Sequence, residues 1–504
     1  MSSRRALLAL CCVSAFILLA TLNSAGYRYG ASDQAFYMPA MLERMDPSLF
    51  PRDSDLIRSQ AQLTFADDVI GPLARVTGIS FPVLFVVLQG LALSLLALAV
   101  FRIGEVLYRS TWATLALLGA VTLRHAILRS GTNTLEGYFH PRQLSFALGA
   151  LAIGQFLRVG SDRGLTPSVR AYSAMMALLL VAMALHPTTG LWFVISLGIA
   201  TFVAEPRLRV ALGAFAGACG LVAVWALIAG PLAGRLQPMD QEWLATLRSK
   251  EYLFPLQWPL TAWLVNLGYV PLIVWIFHRR RTARVVLARE PALVAGVLAL
   301  VIVFASTLPF NAARVALAIQ LQPARVFWIV DFLAVTYVVW AIAEGLTPKA
   351  ARARLAAAAF AVLALARGTY IMLVEFPDRR VAQIDLSDDD WGRAMRWART
   401  SSDPQSGWLA APDHAVKYGT SVRVAAHRDV FVEAIKDQAV GMYERNVAMR
   451  TRDRERALGD FSTLTVERAK ALATQYALDY LITESDLALP VAFQSGALRV
   501  YRLR

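Results

Sequence analysis

Charge is scarce in this chain. Asp, Glu, Lys and Arg supply 17% of its 504 residues, against roughly 25% in a soluble globular protein. With 57% hydrophobic residues and a mean hydropathy of +0.49, that shortage excludes an ordinary soluble domain and indicates an integral membrane protein. Cysteine is nearly missing: Cys11 and Cys12 adjoin in the first apolar segment and Cys219 lies in another. They carry no redox signature and read as small apolar groups buried in helix packing. A glycine-rich phosphate fingerprint and an internal repeat are both absent. The net charge of +14 comes mostly from arginines dispersed in short clusters between apolar runs. That is the pattern of topology signals and excludes a nucleic-acid groove.

What is present is apolar length. Crossing a bilayer takes about 20 residues of helix. Apolar runs fall near 6–22, 80–101, 111–129, 143–157, 171–185, 189–204, 210–230, 258–277, 291–309, 324–343 and 354–374, so about eleven transmembrane helices are expected. Arg4/Arg5, Arg102/Arg109, Arg158/Arg163/Arg170, Arg207/Arg209, Arg279 to Arg289 and Lys349/Arg352/Arg354 fill every other connection. The positive-inside rule assigns that set to the cytoplasm, with the N-terminus inside and the C-terminal end outside. Read instead as a cleaved signal peptide, the first run places Asn23 badly for the cut, and cleavage would leave the following loop on the same side.

From Pro377 the pattern changes. Residues 1–376 form the membrane domain, including an outer loop at 23–79, and residues 377–504 form a small extracytoplasmic α/β domain. Asp388-Asp389-Asp390-Trp391 caps an amphipathic helix and 465–474 reads as another, while 407–412, 429–433 and 479–483 read as strands.

The outer loop holds seven carboxylates and five arginines. Asp33 is either a helix N-cap or a general base for a hydroxyl, ahead of a segment whose Ala35, Phe36, Met38, Leu42 and Met45 would line an interfacial helix. Asp53 and Asp55, like Asp67 and Asp68, either bind a divalent cation or cap helices. Other polar motifs fall on the same side. His140 and Arg142 flank Pro141 and suit either a phosphate or interfacial anchoring. His186-Pro187-Thr188 breaks one run from the next, as a plain turn or as part of a site. Arg325, behind Gln322 and Pro323, is outside the positive-inside pattern; it either binds phosphate or packs on Asp331. Ionisable groups at membrane depth are costly and need a reason.

In order, Gly30/Asp33/Gln34/Tyr37, Tyr138/Phe139/His140/Pro141/Arg142, His186/Pro187/Thr188 and Gln322/Pro323/Arg325 resemble the GT-C superfamily of polytopic glycosyltransferases, in an uncharacterised bacterial branch. The resemblance implies a multi-pass enzyme of the bacterial inner (plasma) membrane. Its partners would be a polyprenyl-phosphate sugar donor, membrane lipids and an extracytoplasmic glycan, lipid or protein acceptor. It makes Asp33 the catalytic base and Arg325, with Arg142 and His140, the donor-phosphate ligands. Tyr37, Asp53, Asp55, His186 and Gln322 are further site candidates. Many members carry a paired acidic motif where this chain has Asp33-Gln34, so the metal requirement stays open. A lipid-linked glycan flippase and an envelope-polysaccharide ligase or polymerase are the alternative functions.

Overall fold

The computed structural model describes residues 3–62, 64–158, 169–346 and 349–504. Arg163, one of the residues used to assign orientation, lies outside them. A helix lies in each of the apolar runs, but in the run at 111–129 it stops at Val121, too short to cross a bilayer. α1 (Ser3–Asn23) opens the bundle and is followed by the outer-loop elements β1 (Tyr27–Arg28), α2 (Gln34–Met45), α3 (Ser54–Ala61) and α4 (Ala66–Thr77). Then come α5 (Phe81–Leu107), α6 (Thr111–Val121), α7 (Pro141–Arg158), α8 (Val169–Leu185), α9 (Pro187–Ala204) and α10 (Arg209–Ile228). A short α11 (Gln241–Thr246) precedes α12 (Leu260–Thr282) and α13 (Glu290–Ala312), and a short α14 (Ala316–Gln320) precedes α15 (Val326–Ala343) and α16 (Ala350–Tyr370). Among the described residues seven helical segments are long and apolar enough to cross a membrane.

The centre of the bundle is α15, whose Trp328, Tyr337 and Trp340 are fully buried. Trp328 stacks on Phe146 of α7 with ring centroids 4.0 Å apart. At the edge stands α10, where Ala226 is the one buried residue among those described. The cysteines correct the expectation of buried packing: Cys11 and Cys219 are exposed and Cys12 is half-buried. Cys11 and Cys219 stand on helix faces that no other described element covers, while Cys12 borders a crevice against α6 and α16.

Basic connections meet at one end. Arg158 pairs with Glu105 at 2.8 Å, Arg289 pairs with Glu205, and Arg280 donates to Leu107 O at 3.2 Å. Arg280 and Glu290 form a fully buried pair at 2.6 Å, closed by the Tyr337 hydroxyl at 3.0 Å. The long outer loop and the C-terminal domain occupy the opposite end.

There β1 pairs in parallel with β2 (Ala382–Gln383), joining the start of the outer loop to the C-terminal domain. Gly137 is required beside that junction, since a Cβ on it would sit 2.4 Å from Gly26 O. The segment expected as an interfacial helix, α2, is instead buried on nearly every side. Amphipathicity belongs to α4, whose Ala66, Ile70 and Ala74 face α2 while Val69, Leu73 and Val76, with Phe65 just before the helix, are exposed. Gly71 permits that contact: a Cβ there would meet Arg44 Cβ and Met41 O at 2.7 Å. The correction has a simple cause. Apolar spacing marks a face that leaves water, but both lipid and protein satisfy it.

The C-terminal domain continues with α17 (Asp390–Ser401), β3 (Gly407–Leu409), α18 (His414–Lys417), α19 (Val422–Ala426), β4 (Asp429–Val430), α20 (Ala434–Gly441) and α21 (Arg445–Leu458). It ends with α22 (Val466–Tyr476), β5 (Tyr480–Thr483), β6 (Val491–Ser495) and β7 (Leu498–Arg502). Asp389 caps α17, accepting from Gly392 N at 2.7 Å. The sheet order is β4-β3-β5-β7-β6, parallel through β5 and antiparallel beyond it. Period-2 alternation places Trp408, Ile482 and Val500 in the core with α17, and Leu409, Leu481 and Tyr501 in the core with α22. The three expected strands are there, two of them shortened to 407–409 and 429–430; the β6–β7 hairpin and α18 to α21 are additions.

Candidate functional site

The site forms where the start of α2, the segment before α7, the α8–α9 junction, the start of α15 and the C-terminal domain converge. Gln34, fully buried, pins the first of these: its Oε1 accepts from Gly30 N at 2.5 Å and its Nε2 donates to Phe139 O at 3.1 Å. Tyr37 donates its hydroxyl to the same carbonyl. These bonds hold the turn carrying Asp33 against the strip carrying His140.

Asp33 precedes α2 but has helical dihedrals (φ −70, ψ −8) and makes no side-chain cap bond. In that conformation its carboxylate cannot turn back on the first helical N–H groups. It reaches Arg142 Nη2 at 3.1 Å and Lys436 Nζ at 3.0 Å, and its side chain remains 34% exposed. Burial pushes its pKa up, but Lys436 and Arg142 outweigh that and hold it well below the usual carboxylate range. The cap is thereby replaced by an ionised carboxylate between two cations.

Arg142 is shared with Glu136, whose Oε1 accepts from Nε at 2.9 Å and from Nη2. Glu136 Oε2 is buried with no hydrogen-bond partner, and burial raises the Glu136 pKa although Arg142 opposes it. The two histidines are neutral. Burial, with Arg142 for His140 and Arg325 for His186, pushes both well below the ordinary imidazole value. In each ring Nδ1 accepts a backbone N–H, from Arg142 at 3.1 Å and from Thr189 at 3.3 Å, so Nε2 carries the proton. His140 Nε2 lies 3.9 Å from Asp33 Oδ2, and the two imidazoles are 5.7 Å apart. His186 is thus both the N-cap of α9 and part of the wall of the site.

Arg325 is buried and donates from Nη1 to Thr188 Oγ1 at 2.6 Å, while its Nε has no partner. Packing on Asp331 is ruled out, because Asp331 is held by His125 at 2.7 Å. Gln322, left-handed at φ +49, donates to the Tyr443 hydroxyl at 2.8 Å and leaves Oε1 buried and unpartnered.

The acid pairs separate. Asp53 is buried among Arg423, Arg450 and Arg454, whereas Asp55 is exposed in the first turn of α3. Asp67 is buried with both oxygens unpartnered, and burial beside Asp68 raises its pKa well above the ordinary value. Asp68 pairs with Arg44 at 2.9 Å near the surface. Among the described residues no group of three or more His, Cys, Asp or Glu could hold a metal ion.

Four participants were not legible in the sequence: Lys436 and Tyr443 from the C-terminal domain, and Lys250 and Tyr252 from the segment after α11. Lys250 donates to Ile435 O at 2.9 Å, and burial, then the charge of Lys436, lowers its pKa to about 8. Tyr252 is set close enough to feel the charges of Arg325 and Asp33. A scarcity signal did exist, since the chain has only five lysines and two of them are here. Arg142, Arg325, Lys250 and Lys436 therefore gather around Asp33 and Glu136, a cluster with surplus positive charge, neutral imidazoles and unpartnered polar atoms. Such a cluster suits an anion with several oxygens, and its one part-exposed ionised carboxylate can accept a proton. Comparison of the chain with protein-family models and with curated proteins returned no match, so what the site can do follows from its own geometry.

Proposed function

We propose that this protein is an integral membrane glycosyltransferase that moves a sugar from a polyprenyl-phosphate donor to a hydroxyl of an extracytoplasmic glycan, lipid or protein. One observation carries this reading. Asp33 is an ionised, part-exposed carboxylate in a cleft where cations outnumber acids and Arg325 offers a buried N–H with no partner.

In the proposed step the acceptor oxygen attacks the anomeric carbon, the bond from that carbon to the phosphate oxygen breaks, and the acceptor proton passes to Asp33. Polyprenyl phosphate leaves with the bonding pair, and configuration inverts. Negative charge grows on the departing phosphate, so fixed cations act most strongly in the transition state. Arg325 and Arg142 are the arginines suited to bidentate contact, with the Nε2–H groups of His140 and His186 as neutral donors. Asp33 held at low pKa is a weak base in the empty site. A bound phosphate competes for Arg142 and Lys436, which lifts Asp33 back toward ordinary basicity when the substrate is present. The basic end of the bundle would face the cytoplasm and the site the outside; a reporter fused at residue 390 that reads as cytoplasmic would reverse this.

Replacing Arg325 with Ala is expected to lower transfer by about 10²–10³-fold, the loss seen when one preorganised transition-state donor is removed. The readout is the glycan and glycolipid profile of cells carrying Arg325→Ala or Asp33→Asn at normal expression. Unchanged profiles in both would sink the catalytic reading.

Lys250 supplies a pH test. Its pKa of about 8 lies below the ordinary 10.5, and a bound phosphate draws it back up. Donor binding is then linked to proton uptake, so affinity should rise as pH falls from about 10 to about 8 and level off below. Calorimetry with farnesyl phosphate in buffers of different ionisation enthalpy measures the uptake. Lys250→Met should abolish it, and uptake equal to wild type in that variant would remove Lys250 from the site.

A further inference from the structure

A polar cavity opens at the same end of the bundle, away from Asp33. It measures about 230 Å³ and lies open to the surface between the last turn of α1, residues 123–125 and 133–135 after α6, and the end of α16. Arg124 and Arg367 line it, with Asn23, Ser24, Asn133 and Thr134. Arg367 uses Nη1 alone to hold Asn23, at 2.7 Å from Oδ1 and 3.2 Å from the carbonyl. Arg124 is exposed, and its charge acts on Arg367. His125 adds no free charge, because it is paired with Asp331. Glu375, exposed at the rim, is the one carboxylate lining the cavity among the described residues. Two like charges held across a polar cavity repel, and an anion between them relieves the repulsion.

An independent feature indicates what carries the anion. The same three helices, α1, α6 and α16, border an open crevice of about 300 Å³, apolar along Phe16, Leu19, Leu115, Leu118 and Ala361 and reached by Arg354. It begins where the polar cavity stops: Leu19 lies one helical turn below Asn23, and Thr122 of the crevice adjoins Leu123 of the cavity. Inorganic phosphate would leave the crevice empty. A molecule with a phosphate and a hydrocarbon chain fills both.

We propose that this is a lipid-phosphate site, separate from the cleft around Asp33, with the phosphate between Arg124 and Arg367 and a chain in the α1–α6–α16 crevice. It depends on the membrane character of the chain and not on glycosyl transfer. The test is binding of dioleoyl phosphatidic acid to the full chain in detergent micelles, read by native mass spectrometry and thermal shift, with dioleoylglycerol and inorganic phosphate as the other arms. An Arg325→Ala background separates the signal from the cleft at Asp33. Loss of a charge-assisted contact in Arg124→Gln should weaken phosphatidic acid about tenfold. Ala358→Trp, placed at an exposed position that fills the crevice, should also weaken it. Dioleoylglycerol and inorganic phosphate should bind poorly. Binding of phosphatidic acid that neither variant changes would overturn the site. Inorganic phosphate bound as tightly as phosphatidic acid, dependent on Arg124 and indifferent to Ala358→Trp, would overturn the lipid and leave a simple anion site.

Discussion

Asp33→Asn is expected to reduce glycosyl transfer by about 10²–10⁴-fold, the range for loss of a positioned general base, with donor affinity unchanged or tighter. The two halves of that expectation have different origins. The amide is isosteric but cannot take the acceptor proton, so turnover falls. The lost negative charge also frees Arg142 and Lys436, which Asp33 holds at 3.1 and 3.0 Å, to engage phosphate fully. Asp33→Asn should not unfold the site, because Arg142 keeps Glu136 and the turn is held by Gln34 and Tyr37. The measurement is single-turnover transfer alongside equilibrium binding of the donor. Weaker donor binding with unimpaired turnover would make Asp33 a structural anchor and not the base.

The largest expected loss of stability is at Asp53. It is 1% exposed and pairs with Arg423 at 2.9 Å, with Arg454 at 3.2 Å and with Arg450. Its own N–H and that of Arg52 donate to Asp429 at 3.1 and 3.0 Å. This cluster joins the outer loop to the C-terminal domain, and so fixes Lys436 opposite Asp33. Asp53→Ala leaves buried guanidinium groups short of a counter-charge and should destabilise the docked domain by about 3–5 kcal/mol. Asp55→Ala, at an exposed position two residues on, should stay within about 0.5 kcal/mol. Thermal unfolding and protease access to residues beyond 377 compare the two; equal effects would refute the clamp.

The same cluster sets a pH dependence. Burial raises Asp429 to about 6 and Glu433 to about 8, while arginines, opposing burial, lower Asp53 to about 2. A carboxyl raised on folding binds its proton more tightly in the native state, so stability falls as pH rises through that window. A lowered one contributes stability that disappears in acid. Unfolding temperature should therefore increase from pH of about 8 down to about 5 and fall below about 4.

Much of the membrane part was legible because its signals are one-dimensional. Apolar length marks a helix that leaves water, and arginine-rich connections alternate with arginine-poor ones whatever the packing. The strands at 407–409, 429–430 and 480–483 were readable for a similar reason, since alternation over a few residues decides which side is buried. Counting the apolar runs was enough to expect Asp33, His140, Arg142, His186 and Arg325 near one another, and the structure brings them together. Their separation from the acid pairs could not. Asp53 and Asp55 look alike on paper, yet one is sealed among arginines from residues more than 360 positions away and the other faces solvent.

The sequence by itself determined a mostly helical protein, with several helices long and apolar enough to cross a membrane and a small strand-containing region after residue 377, because hydrophobic length and period are local properties. Only the tertiary structure decided that Asp33 is an ion-paired carboxylate and not a cap, that Arg325 faces Thr188 and not Asp331, and that Lys250, Lys436 and Tyr443 complete the site. Those outcomes depend on which charges meet across hundreds of residues. Coulombic pairing in a buried cleft is a property of distance in space, and no spacing along the chain encodes it.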